Sequence, residues 1–168
     1  MPDELTSSLD DAAQLEALGE RFTLALNLKD RGDIDRAEEL FLEILRAEPR
    51  LPEPRMELAR LLLDTDRIED AEGHARLALD HLKAGGRWTD MLPDGVVESI
   101  AHALLAEILR RRLEDDDVIF GDPATFKALL TESREHFAAA HRLDPTDETS
   151  SYYANYLGAE PGSPAGES

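Results

Sequence analysis

Residues 18–51 read LGERFTLALNLKDRGDIDRAEELFLEILRAEPRL, and residues 52–85 read PEPRMELARLLLDTDRIEDAEGHARLALDHLKAG. A shift of 34 residues lays one on the other. Arg21 then falls on Arg55, Leu24 on Leu58, Ala25 on Ala59 and Leu28 on Leu62. Past a turn, Ile34 falls on Ile68, Ala37 on Ala71 and Leu45 on Leu79. Within each copy the apolar residues recur at three- and four-residue intervals, the period of one helical face. The spacing predicts helices over about Ser8–Asp30, Asp33–Ala47, Glu53–Asp64 and Ile68–Leu82. Ser8 with Asp11 reads as a capping start, Gly32 as a helix stop and Pro49 as a second stop. Alternation at period two is absent, so strand content is expected to be near nil. One offset that serves two helices and their turn marks helix pairs that bury their apolar faces only by stacking.

Working outward, His102, Leu105, Ala106 and Leu109 repeat the pattern of the first helix of a pair, and Ser133, Phe137, Ala140 and Pro145 that of the second. Ala25 and Ala37 are 12 residues apart, as are Ala59 and Ala71, whereas Ala106 and Ser133 are 27 apart. The third unit therefore carries about 15 extra residues around Glu114–Asp117, with Asp122-Pro123 as the start of its second helix. A further insertion, about Lys83–Asp94, carries Gly85, Gly86, Trp88 and Pro93. Residues 148–157 read as a capping helix, and residues 1–8 and 158–168 as disordered tails around a helical domain spanning 9–157.

These residues resemble the tetratricopeptide repeat family. Its helix A carries a large residue, a Leu-small pair and a large residue; helix B carries a small residue, a large one four later and a closing proline. Arg21, Leu24, Ala25, Leu28, Ala37, Phe41 and Pro49 match in the first repeat, and Arg55, Leu58, Ala59, Leu62, Ala71 and Ala75 in the second. Arg21 and Arg55 stand where an aromatic is usual, and Lys83 where the second proline would be. The resemblance implies an all-α, TPR-like α-solenoid of about three antiparallel helix pairs, with repeats at about 18–51, 52–85 and 99–147 and a cap at 148–157. It also implies a concave groove, lined by the A helices, that takes a partner peptide or helix. The groove positions would be Phe22, Leu26 and Lys29 in the first repeat, Met56, Arg60 and Leu63 in the second, and Ala103, Glu107 and Arg110 in the third. The expected partner surface is an apolar floor edged by Lys29, Arg60 and Arg110; the alternative is that Phe22, Leu26, Met56 and Leu63 only pack internally. Trp88 either plugs the junction between the second and third repeats or is an exposed anchor. The carboxylate clamp of chaperone-docking repeats would need Lys and Asn where this chain has Phe22, Leu26 and Glu57, so that subfamily is disfavoured.

Composition narrows the function. The 168 residues carry 18 Lys plus Arg against 37 Asp plus Glu, a net charge of −19. Such a charge repels phosphate backbones and anionic lipid, which argues against nucleic acid and membrane as partners. The 42% hydrophobic content suffices for a core, and no cysteine is present. The first 20 residues hold no apolar run behind a basic start, and a cytoplasmic protein is expected. His74, His81, His102, His136 and His141 include no i,i+3 or i,i+4 pair, so no metal site is read from them. The run Glu114–Asp117 lacks the spacing of a calcium loop, leaving a solvated turn or a weak ion site. Following Arg110–Arg112, it also reads as a candidate interaction surface in which carboxylates oppose a helix dipole. Phosphate-loop, dinucleotide, nucleophile-elbow and zincin motifs are absent. No catalytic residue, metal or cofactor is nominated. The expected function is a non-catalytic protein-interaction adaptor, monomer or homodimer, with a small secretion-type chaperone or a self-assembling scaffold as alternatives.

Overall fold

The computed structural model describes residues 3–86 and 92–159. Among these there are eight helices and no strand: α1 (Asp3–Asp30), α2 (Ile34–Ala47), α3 (Pro52–Asp64), α4 (Ile68–Lys83), α5 (Asp94–Arg112), α6 (Asp116–Ile119), α7 (Pro123–Leu143) and α8 (Glu148–Tyr156). They stack as the pairs α1–α2, α3–α4 and α5–α7, with α6 set beside α7 and α8 capping α7. This is an all-α solenoid of three helix pairs. Trp88 and residues 160–168 lie outside the described residues.

The 34-residue register reappears in the backbone. Each A helix ends when the amide five residues on turns back to the carbonyl of Leu28 or Leu62: Asp33 N donates to Leu28 O at 2.9 Å and Arg67 N to Leu62 O at 2.8 Å. Both turns need one residue in the left-handed region, Gly32 at φ 83° and Asp66 at φ 62°. A side chain pays a steric cost there that glycine avoids. Asp66→Gly is therefore expected to raise the unfolding free energy by roughly 0.5–1 kcal/mol, since the ion pair with Arg111 that it removes is exposed and contributes little. A higher urea midpoint at unchanged slope is the result to look for.

The small residues mark where helices approach most closely. Ala25, Ala37, Ala59 and Ala71 are fully buried in one continuous core with Phe41, Leu58, Leu61 and Leu62. In the third pair the same close approach is bridged by hydroxyls: Ser133 donates to Ala106 O at 2.8 Å and Ser99 to Ala140 O at 2.9 Å. Both serines are buried, so each hydroxyl has its hydrogen bond where water cannot supply one. Repeats one and two differ at their edges. Leu58 is buried, but Leu24 is 50% exposed, because α1 is the first helix of the stack and meets no earlier pair.

Two expectations need correction. The acidic start reads as a tail, yet α1 begins at Asp3 and runs through Ser8, which is thus no cap; no Pro or Gly falls between residues 3 and 18 to stop it. The carboxylates after Arg112 do not end α5 against its dipole. Asp116 and Asp117 open α6 instead, at the helix end that favours negative charge. Arg110–Arg112 pair with Glu107, Glu114, Asp66 and Glu72, so Glu114, which does follow α5, is screened by the arginines before it. The Asp122-Pro123 start is as expected, with Asp122 Oδ1 accepting from Ala124 N at 3.0 Å. Asp147 caps α8 in the same way, accepting from Ser150 N at 2.9 Å.

Candidate functional site

The A helices α1, α3 and α5 bring part of the expected groove together. Between α3 and α5 lies a cleft of about 280 Å³ lined by Arg60, Leu63, Asp64, Ala103, Leu104, Glu107 and Arg111. Its walls hold two cations and two carboxylates over a leucine floor, so the cleft is locally neutral in a chain of charge −19. Arg111 is drawn to Asp66 and Glu114, and Glu107 to Arg110. Arg60 and Asp64 make no ion pair among the described residues, which leaves one charge of each sign open to a partner.

The remaining positions are less available than the spacing implies. Met56 is 7% exposed and Leu63 only 8%, so most of the apolar floor is core, because α2, α4 and α5 all pack against α3. Phe22 and Leu26 are half-buried, and Phe22 meets Phe41 edge-on at 6.0 Å between ring centroids. The edge of three cations is largely neutralised from within. Lys29 pairs with Glu57 across α1 and α3. Arg110 bonds Glu107 and Glu114 and lies 5.4 Å from the centre of the Tyr153 ring, with Glu107 foremost in holding its pKa above the usual value. Only Arg60 of the three stands exposed and without an ion pair among the described residues.

Features that the sequence reading passed over lie elsewhere. A cleft of about 420 Å³ is lined by Leu15, Glu48, Arg50, Leu51, His81, Ala84, Gly85 and Gly86. A neighbouring cleft of about 360 Å³ shares Leu15, Glu48 and Arg50 with it and adds Asp11, Gln14 and Leu18. Both exist because α1 extends beyond its repeat, past the α2–α3 turn. The extension carries no residue pattern that would have announced them.

His102, buried, and His136, half-buried, form a pair across α5 and α7, Nδ1 to Nδ1 at 2.8 Å, with rings 5.1 Å apart. Glu98 lies 3.7 Å from His102 Nε2 and Glu132 3.7 Å from His136 Nε2. Burial pushes the His102 pKa down to about 4, and the neighbouring His136 adds to this. Burial also lowers that of His136, opposed by Glu132. Glu132 is held ionised, its pKa lowered first by hydrogen bonds from Arg76. Spacing rules within one helix could not find this pair, because its members sit on different helices. Arg55, in place of the usual aromatic, is likewise buried. Its guanidinium donates to Pro49 O at 2.7 Å and lies 3.2 Å from His74 Nδ1, tying the α2–α3 turn to α4.

The tetratricopeptide repeat family matches residues 28–85 of the chain. The stacked helix pairs of the solenoid are the arrangement that such repeats build. No curated protein matches it. Tetratricopeptide repeats generally mediate protein–protein interaction and are generally non-catalytic. Among the described residues, no helix is long and apolar enough to cross a membrane.

Proposed function

We propose that the protein is a non-catalytic adaptor that takes a partner peptide or helix along its A helices, centred on the cleft between α3 and α5. The observation that carries this reading is the pairing of Arg60 and Asp64, neither of them ion-paired among the described residues, with the leucine floor of Leu63 and Leu104. An apolar anchor on the partner supplies binding energy, while a carboxylate facing Arg60 and a cation facing Asp64 set its direction. Phe22 and Leu26 continue the wall into the first repeat. Lys29 and Arg110, already paired within the chain, shape the groove more than they charge it, and Met56 supports it from beneath. Cytoplasmic residence fits the composition of the chain.

Arg60→Glu and Ala103→Trp test this reading. The first reverses the open charge, and the second fills the cleft; neither position is fully buried, so both variants should melt near the wild type. Affinity capture from the native lysate, with quantitative comparison of recovered proteins, should show one partner depleted about tenfold by each variant. Equal recovery by wild type and both variants would remove the groove reading.

A further inference from the structure

The turn between α6 and α7 is built to hold an apolar surface in solvent. Phe120 is 83% exposed, Ile119 50% and Phe126 37%. Single exposed hydrophobics are ordinary on a protein surface, but three within eight residues mark a contact surface. Nothing in the solenoid requires them. The inserted segment is anchored by Val118, which is buried in the core, while every residue from 119 to 128 is exposed.

The exposed phenylalanine is also fixed in place. Phe120 N donates to Asp116 O and Ile119 N to Asp115 O, both at 2.9 Å. At Gly121 a Cβ would strike the carbonyl oxygen of Asp117, so the turn is closed to any larger residue. Asp122 then caps α7 through Ala124 N. A side chain mounted on such a turn loses little backbone freedom on binding, which favours affinity.

Charge selects the occupant. Asp116, Asp117 and Asp122 flank the apolar residues, are exposed, and form no ion pair among the described residues. A second copy of the chain would set these carboxylates against their own kind at a net charge of −19 per chain, and an anionic membrane would be repelled likewise. We propose that Ile119, Phe120 and Phe126, framed by Asp116, Asp117 and Asp122, form a second docking surface that binds a basic amphipathic helix of a partner protein. Leucine-type side chains of that helix cover the aromatic rings, and its flanking Lys or Arg meet the three carboxylates. The surface is separate from the A-helix groove, and the proposal does not rest on the groove reading.

The test uses the full chain and a fluorescein-labelled peptide of about 18 residues, five helical turns, with Leu on one face and Lys on the other. Fluorescence anisotropy should report binding that weakens about tenfold for Phe120→Ala and for the pair Asp116→Asn with Asp117→Asn. It should also weaken at about 0.5 M salt, where exposed charges are screened. Leu77→Ala, which removes an exposed leucine on α4, should leave it unchanged. Circular dichroism melts should coincide for all variants, since each altered side chain is solvent-exposed. Binding that survives Phe120→Ala, or a Leu/Glu peptide that binds as well as the Leu/Lys one, would overturn the proposal. So would sedimentation showing self-association that depends on Phe120, because the occupant would then be a second copy.

Discussion

Phe41→Ala is expected to lower the unfolding free energy by about 3–5 kcal/mol, the cost of deleting a buried phenylalanine. Phe41 has no solvent exposure and stands in α2 at the centre of the core shared by the first two helix pairs. Its ring meets Phe22 edge-on, so truncation removes both the apolar burial and one aromatic contact. The register position one repeat later is Ala75, also buried, and there the space is filled by α5 packing on α4. α2 is packed between α1 and α3, so truncating Phe41 opens a void at the junction of the first two pairs. For a chain of this length the loss corresponds to a fall in melting temperature of about 10 °C. Urea unfolding of the two proteins decides the matter: a difference below about 1 kcal/mol would mean that the first pair contributes little to global stability.

Acidification is the second large effect. The His102–His136 hydrogen bond needs one donating and one accepting Nδ1, so the pair cannot be doubly protonated as it stands. Unfolded histidine titrates near 6.5, whereas burial holds His102 at about 4 in the folded chain. Between those values the unfolded state binds more protons than the folded one, so stability falls as pH falls. The contribution is fully present above about pH 6.5 and is lost progressively down to about pH 4, amounting to about 3 kcal/mol at most. The charged groups facing the pair are Glu98 on α5, Glu132 on α7 held by Arg76, and Lys83 and Arg142, whose cations further oppose protonation of His102 or His136. Acid also relieves the mutual repulsion of the many carboxylates, an effect of opposite sign. The informative quantity is therefore the difference between wild type and His102→Asn, which keeps a polar atom near the Nδ1 position but does not titrate. Melting temperatures from pH 7 to pH 4 should fall more steeply for the wild type. Parallel profiles would show that this pair does not govern acid stability.

Much of the fold was legible in the residues because its causes are local. The turns at Gly32 and Asp66, the buried alanines and the capped start at Asp122-Pro123 each follow from chemistry within a few residues. The third pair was legible too, since Ala106 and Ser133 meet as their places in the pattern require. The candidate groove was legible only in outline. Register named Met56, Arg60 and Leu63 alike as inward-facing, but burial separates them, leaving Arg60 in solvent and the two apolar residues in the core. That difference depends on how α2, α4 and α5 close around α3, which no single repeat encodes.

The sequence alone determined that helices form in pairs, where they stop, and which small residues let them touch. The period of apolar side chains and the conformational limits of Gly, Pro and Ala act over one or two helical turns. The tertiary structure alone decided which charges are consumed and which remain open. Lys29 is neutralised by Glu57 from the next repeat and Arg112 by Glu72 from 40 residues earlier, while Arg60 and Asp64 find no such partner among the described residues. It also decided that His102 meets His136 and that Phe120 meets solvent. Electrostatic pairing and burial act through space, so they are set by the stacking of helices distant in the chain.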